Sequence, residues 1–276
     1  MTTAESPVHD IAVTQRLLGM AAARGSHQAL ADGRGNRAYS YAGLAAAIGV
    51  ASAGLACRGL RPRDVVGVHV PDAVSYVLAT HAIRAAGGVP SPVAAGLTVP
   101  EMAGQLADCG ARMLLTAPPL AAAALAAADR SWVRQVISFG DAPGAISFDA
   151  LLRSGSRQPV SCRGSDPVLL PYLRQPDGSL SPVALTQQEL AAELGRLAAA
   201  AQIAGQDVVI AAPPAGDGRV YSVLLDHALL SGATVVASPA GELLATAAAW
   251  RGTVAIAARG EDAAANQSLR FLTVGC

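Results

Sequence analysis

The chain has 276 residues, of which 52% are hydrophobic and 14% charged, so it holds enough apolar material for a buried core and is not a disordered chain. Its 20 basic residues balance its 20 acidic ones and form no run, which excludes a nucleic-acid-binding surface. Every basic residue is arginine. The absence of lysine excludes a P-loop lysine, a Schiff-base lysine and a Ser-Lys pair.

The cysteines and the hydropathy pattern bear on the cellular location of the protein. The four cysteines are widely spaced, without a C-x-x-C pair, so reduced thiols are expected. The N-terminus has no basic segment followed by an apolar one, and no run of 18 apolar residues occurs later. These features predict a cytoplasmic protein with no membrane contact and no metal site.

The first elements along the chain are an amphipathic helix at 11–23, two short strands at 28–31 and 37–39, and a helix at 41–58. Continuous apolar runs that predict buried strands then recur with helical segments between most of them, at 65–70, 112–116, 135–139, 168–172, 208–212, 234–237 and 253–257. Such runs are typical of parallel sheets covered on both faces by helices, so the predicted fold class is α/β.

Local signals place helix starts and a boundary between two parts of the chain. Thr98 with Glu101, and Thr186 with Glu189, have the spacing of a capping box and predict helices beginning at those points. The Gly-, Ser- and Arg-rich stretch 155–165 predicts an exposed connection. We therefore expect a first sub-lobe over residues 1–165 and a second over 166–276.

Four segments in order carry a resemblance: 39–44 (YSYAGL), 59–68 (GLRPRDVVGV), 85–90 (AAGGVP) and 106–112 (LADCGAR). Together they resemble the N-terminal part of the adenylate-forming superfamily, which includes acyl-CoA synthetases, peptide-synthetase adenylation domains and luciferases. The resemblance implies a large α/β N-terminal domain, ATP and magnesium as the expected cosubstrate and cofactor, and ligation of a carboxylic acid to AMP or CoA as the family activity.

The family's phosphate-binding loop is where this chain departs from the resemblance. In the family a strand similar to 166–172 leads into a loop of the form SSGTTGxPKG, whose hydroxyls and backbone N–H groups hold the phosphates of ATP. Here residues 173–182 read LRQPDGSLSP. The positions of this degenerate loop that we single out are Leu173, Arg174, Gln175, Pro176, Asp177, Gly178, Ser179 and Ser181.

These replacements act against phosphate binding. Asp177 places a negative charge where a polyphosphate would lie, and Pro176 and Pro182 each remove an N–H donor. Ser181 stands where the family has its lysine, and Arg174 could replace that charge only in part. We therefore expect no cofactor, with ATP and magnesium excluded here, and a surface turn built on Pro-Asp-Gly.

Other polar residues follow predicted strands, where open α/β sheets place ligands. Asp226 and His227 are adjacent in a predicted helix, and adjacent helical residues do not face each other, so they do not form a dyad by themselves. The candidate cleft residues are Arg174, Asp177, Asp217, Arg219 and His227.

Residues 267–276 (QSLRFLTVGC) resemble a family strand after which the adenine-stacking segment, the magnesium and ribose ligands and the lysine-bearing C-terminal domain would follow. The favoured hypothesis is therefore a protein inactive as a ligase that serves as a binding or assembly partner in a biosynthetic pathway. Its expected ligand is an acyl group or a carrier protein, and its expected state is a homodimer. The alternatives are a scaffold repurposed as another enzyme that uses the open cleft, and one half of a split ligase.

Overall fold

A computed structural model describes residues 12–153, 155–214, 217–258 and 269–274. The predicted α/β class is confirmed, because two largely parallel sheets are separated and flanked by helices. The helices are α1 (Val13–Arg24), α2 (Tyr41–Cys57), α3 (Ala73–Ala85), α4 (Val99–Asp108), α5 (Ala121–Ala128), α6 (Gln187–Ala200), α7 (Gly218–Leu230) and α8 (Leu243–Trp250), with 3-10 helices at Pro118–Leu120 and Phe148–Arg153.

The strands are short, and six of them follow the predicted apolar runs. They are β1 (Gln28–Asp32), β2 (Ala38–Ser40), β3 (Val65–Val68), β4 (Val89–Pro92), β5 (Met113–Thr116), β6 (Gln135–Ser138), β7 (Ile146–Ser147), β8 (Pro167–Leu169), β9 (Tyr172–Arg174), β10 (Leu180–Pro182), β11 (Leu185–Thr186), β12 (Val208–Ala211), β13 (Thr234–Ala237), β14 (Val254–Ala258) and β15 (Arg270–Val274). No helix in the described ranges is both long enough and apolar enough to cross a membrane.

One sheet has five strands in the order β4-β3-β5-β6-β7, and all of its neighbours run parallel. Helices α4 and α5 cover its outer face, where Met102, Leu106 and Leu114 belong to one apolar cluster. The other sheet has six strands in the order β15-β14-β12-β13-β1-β2, and only β2 runs antiparallel to its neighbour. Helix α8 covers its outer face.

The division of the chain between the two sheets does not coincide with the predicted sub-lobe boundary between residues 165 and 166. Strands β1 and β2 precede that boundary, yet β1 pairs with β13 in the sheet otherwise built from strands that follow it, with Leu30 opposite Val235. The pairing of β1 with a strand more than a hundred residues away leaves no periodic signal in the sequence. The described fold therefore interleaves the two predicted sub-lobes.

Helix α3 lies between the two sheets and is buried over its whole length. It contacts β3 and β4 of one sheet and β1 and β13 of the other. Because a helix enclosed by two sheets exposes no face to water, its apolar residues cannot be confined to one stripe. Among them, Val77, Leu78 and Ile83 belong to the largest apolar cluster of the molecule.

The prediction of one strand over 168–172 is wrong. The chain breaks into β8, which pairs antiparallel with β11, and β9, which pairs antiparallel with β10. Pro171 lies at the break and has no N–H to donate to a ladder, while the N–H of Leu170 donates to the carbonyl of Pro90 instead. The hairpin that follows therefore stands apart from both large sheets.

Both predicted capping boxes are present. The Thr98 hydroxyl accepts from the backbone N–H of Glu101, whose carboxylate accepts from the N–H of Thr98, and Thr186 and Glu189 repeat this arrangement. These caps satisfy N–H groups that have no partner within the helix, so α4 and α6 begin where the sequence indicates.

Helix α2 packs closely on the 3-10 helix at Phe148–Arg153, and Gly54 permits this approach. A Cβ at Gly54 would lie 2.5 Å from the carbonyl oxygen of Leu151, whereas a Cβ at Gly49 in the same helix would be 3.8 Å from its nearest neighbour. We expect Gly54→Ala to lower the free energy of unfolding by about 1–3 kcal/mol through overpacking. Urea denaturation followed by circular dichroism measures this change.

Gly49→Ala is the matched control, since it adds the same methyl group to the same helix without a clash. We expect it to raise the free energy of unfolding by up to about 1 kcal/mol, because alanine loses less backbone entropy on folding. Equal effects of the two substitutions would show that the contact with Leu151 does not limit the packing.

Candidate functional site

A cavity of about 750 Å³ lies at the carboxyl ends of β3 and β4. The loop 93–97 after β4, the segment after β12 and the first residues of α7 form its walls, and the β9–β10 hairpin borders it. Open α/β sheets bind their ligands at this edge, because the loops after parallel strands converge there. The volume is within the range of cavities that hold small molecules.

The walls of the cavity are mainly apolar. Two buried tyrosines, Tyr76 and Tyr221, stand edge to face with their ring centroids 5.2 Å apart. The Tyr221 hydroxyl donates to the carbonyl of Ala212 at 2.8 Å, and the Tyr76 hydroxyl is 2.5 Å from that of Ser222. Burial raises the pKa of both tyrosines above the usual range, so they remain neutral. They form walls of the cavity, and their hydroxyls already bond within the protein.

The degenerate loop forms the tight turn of the β9–β10 hairpin. The N–H of Gln175 donates to the carbonyl of Ser179 at 2.8 Å, and the N–H of Gly178 donates to that of Gln175 at 2.9 Å. Pro176 occupies the second position of this turn, and Gly178 has a φ of +84°. This is a three-residue hairpin loop in which a left-handed glycine completes the turn.

The turn uses its remaining donors internally. Asp177 Oδ1 accepts from the N–H of Ser179 at 2.9 Å and from its hydroxyl at 2.6 Å. The bonds from the hydroxyl and then from the N–H of Ser179 lower the pKa of Asp177, so its carboxylate stays charged. Leu173 and Ser181 face each other in the hairpin ladder. The loop therefore presents a fixed negative charge and few free donors.

Arg174 lines the cavity, but its guanidinium is already bound. Its Nη2 is 2.8 Å from Glu101 Oε1, and its Nη1 donates to the carbonyl of Gly178 at 2.8 Å. The hydroxyl and the N–H of Thr98 donate to the other carboxylate oxygen of Glu101. These bonds from Thr98 and then the bond from Arg174 lower the pKa of Glu101 to about 2.

The other predicted cleft residues are dispersed. Asp217 lines the cavity and accepts from the N–H of Arg219 at 2.7 Å, which caps α7. The Arg219 guanidinium is 3.0 Å from Glu193 on α6, outside the cavity. His227 lies further along α7, with Nε2 2.8 Å from the carbonyl of Ala201. Of the five candidates, only Arg174 and Asp217 line the cavity.

A buried polar cluster links α1, α3 and α7, and sequence reasoning did not find it. Asp226 Oδ2 is 2.8 Å from Arg84 Nη1, and Asp226 Oδ1 is 3.0 Å from His81 Nε2. The other ring nitrogen of His81 is 3.0 Å from the Thr14 hydroxyl. The partner of Asp226 is thus His81 and not the adjacent His227. These side chains are almost wholly buried and distant in sequence, so the cluster is structural.

Cation-binding chemistry has little support in the described part of the chain. No group of three or more His, Cys, Asp or Glu side chains there is close enough together to hold a metal ion. Asp217, which lines the cavity, and Glu101, which pairs with the lining Arg174, both accept backbone N–H groups at helix starts.

Comparison with known proteins identifies the scaffold. The family described as AMP-binding enzyme matches residues 19–257. The chain belongs to this family. The predicted resemblance to acyl-activating enzymes is thereby confirmed, and the cavity lies at the sheet edge of an AMP-binding fold.

Solved structures show the same fold at low sequence identity. A long-chain-fatty-acid-CoA ligase from Archaeoglobus fulgidus has a TM-score of 0.81 and 20% identity, and the match covers 91% of this chain and 52% of the ligase. MbtA from Mycobacterium smegmatis has a TM-score of 0.82 and 24% identity, with coverages of 90% and 48%. A benzoate CoA ligase from Burkholderia xenovorans has a TM-score of 0.75 and 20% identity, and the match covers 90% of this chain and 50% of the ligase. The chain spans about half the length of these relatives.

The first prediction from the site concerns Asp226. Burial would raise the pKa of its carboxyl, but Arg84 and His81 hold it below the usual range. We expect Asp226→Asn to lower the free energy of unfolding at pH 7 by about 3–5 kcal/mol, because the buried Arg84 loses its counter-charge. Stability from the charged Asp226 is fully present above about pH 4 and is lost as the pH falls through the lowered pKa.

The control is the double variant Asp226→Asn with Arg84→Met, measured by the same urea denaturation. It removes both charges, so it should be more stable than Asp226→Asn alone. A double variant that is less stable than the single one would contradict the assignment of the cost to an uncompensated arginine.

The second prediction separates the two influences on Glu101. Thr98→Ala should raise the pKa of Glu101 more than Arg174→Gln does, because the bond from the Thr98 hydroxyl is the largest cause of the lowered pKa. Carbon-13 NMR of the side-chain carboxyl during a pH titration measures both shifts. A larger shift in Arg174→Gln would show that the ion pair dominates.

Proposed function

We propose that this AMP-binding family member does not form adenylates and acts as a binding and assembly partner in a biosynthetic pathway, with its cavity holding an apolar acyl ligand. The observation that carries the proposal is the β9–β10 turn, which stands where the family has its phosphate-binding loop. The N–H groups of Gln175, Gly178 and Ser179 bond within the turn, and a charged Asp177 occupies it.

The backbone of the turn does not fit a polyphosphate. A loop that holds phosphates needs several N–H groups that point outward together. Here the N–H groups of Gln175, Gly178 and Ser179 each bond within the turn, and Pro176 has none. Binding a phosphate through these atoms would require the hairpin to unfold locally.

The charges of the turn oppose ATP as well. The Asp177 carboxylate would face a polyanion, and Arg174 of the same hairpin already pairs with Glu101. The chain contains no lysine that could supply another cation. Because the Asp177 carboxylate repels a phosphate and the one guanidinium of the hairpin is already paired, these residues do not favour ATP.

The cavity suits an apolar group. Val68, Val70, Val93 and Leu97 line it together with the tyrosine pair. Burial of apolar surface gives about 25 cal/mol per Å², so burying a medium-length acyl chain against these walls would contribute favourably to its binding. An acyl group carried by a carrier protein would present the same chemistry to these walls.

Assembly with a second chain belongs to the same proposal. Within the described residues β15 pairs only with β14, and β2 only with β1, so the six-stranded sheet offers strand edges to a partner. Such edges favour association. Native mass spectrometry of the purified protein should show a homodimer or a pathway partner, and a monomer alone would contradict this part of the proposal.

The test of the main proposal is titration of MgATP into the protein, followed by pyrophosphate exchange with a panel of carboxylic acids. Enzymes bind their substrates with constants between about 1 µM and 1 mM, so we expect no binding heat within that range and no exchange. Micromolar binding of MgATP, or exchange with any acid, would overturn the proposal.

A loop graft provides the matched variant. Residues 173–182 are replaced by the ten-residue family loop SSGTTGSPKG, and the hydrogen-bond donors and the lysine are thereby restored. We expect this variant to gain MgATP binding while the natural chain shows none. If neither binds, the loss of nucleotide binding has a cause outside the hairpin.

A further inference from the structure

Gln105 is a buried polar residue of the cavity wall whose bonds fix its orientation. It lies in α4, is 4% exposed and lines the cavity. Its Nε2 donates to the carbonyl oxygen of Pro92 at 2.9 Å and to the Ser91 hydroxyl at 3.1 Å. A carbonyl oxygen can only accept, so the nitrogen end of the amide must face β4.

The other end of the amide lacks a partner from the protein. None of the residues that the structure describes donates a hydrogen bond to Gln105 Oε1. Gln105 Oε1 is not one of the fully enclosed side-chain atoms that lack a partner in the described part of the chain, because Gln105 borders the open cavity, where a donor on a ligand can reach it. Gln105 Oε1 can therefore accept a hydrogen bond from a donor on a ligand.

The charges at the cavity further restrict which ligands it can bind. Among the lining residues Arg174 is the cation, and its guanidinium is held 2.8 Å from Glu101. Asp217 also lines the cavity, and no arginine or histidine of the described ranges lies within salt-bridge distance of it. A free carboxylate would thus meet one uncompensated carboxylate and no free cation.

We infer that the cavity takes a neutral acyl derivative that carries an N–H or O–H donor, which donates to Gln105 Oε1, and that it rejects the free acid. This inference rests on the proposed function, because it names the chemistry of the ligand for the same cavity. It also separates this chain from a ligase, whose substrate enters as a carboxylate.

Three probes with one alkyl chain test the inference: octanamide is neutral with a donor, methyl octanoate is neutral without one, and octanoate is an anion. Each is titrated into the full chain at pH 7 by calorimetry. Octanamide should bind about three- to tenfold more tightly than methyl octanoate, the effect of one hydrogen bond. It should bind at least about tenfold more tightly than octanoate, whose charge would be buried without a partner.

Gln105→Met keeps a side chain of similar length and removes the acceptor. In this variant octanamide should lose its advantage over methyl octanoate, while the affinity for methyl octanoate stays within about twofold. Gln188→Met is the matched control, because Gln188 is exposed on α6 away from the cavity. It should leave all three affinities unchanged, and thermal denaturation checks that both variants are folded.

The outcomes distinguish this inference from the proposed function. If octanoate binds as tightly as octanamide to the natural chain, the inference is overturned while ligand binding by the cavity stands. If octanamide and methyl octanoate bind equally, the role of Gln105 is overturned, whether or not Gln105→Met folds. If none of the three binds, the proposed ligand class fails and the inference fails with it.

Discussion

The complete burial of α3 between two sheets governs how the molecule is held together. A helix that contacts sheets on opposite sides cannot turn a polar face to water, so each polar side chain on it needs a partner inside the protein. Most of its polar groups have one: Ser75 bonds to Asp72 and Arg37, Tyr76 to Ser222, and both His81 and Arg84 to Asp226. The exceptions among the described residues of α3 are Thr80 Oγ1 and Arg84 Nη2, which are buried without a hydrogen-bond partner. These bonds attach α3 to its own N-cap, to the turn that precedes β2 and, across the molecule, to α7.

The same constraint connects the core to the cavity. Tyr76 comes from the first turn of α3, and Ser222 and Tyr221 come from the first two turns of α7, so the tyrosine pair forms where the two helices meet beneath the carboxyl edge of the sheets. The ring positions are fixed by bonds to Ser222 and to the carbonyl of Ala212. The apolar wall that favours a neutral ligand is therefore a direct product of how the buried helices are held.

Local signals predicted much of the fold and little of the site. Apolar runs located β3, β5, β6 and β12 to within about two residues, and the Thr98 and Thr186 caps located two helices, because periodicity and capping act over a few residues. The pairing of β1 with β13 and the bonding of Asp226 to His81 join distant segments, and no local pattern encodes them. Gln105 could not be singled out, since its significance depends on which end of its amide faces Pro92.

The pairing of β1 with β13 also has a consequence for how the chain reaches its fold during synthesis. The strands of the five-stranded sheet and their outer helices come from one continuous stretch and can pair as soon as they leave the ribosome. Strand β1 emerges long before β13, so it must wait with an unpaired apolar edge while about two hundred residues are added. Contacts of such long sequence separation form late and slowly. We therefore expect the half-built six-stranded sheet to be the stage at which unpaired strand edges expose this chain to aggregation.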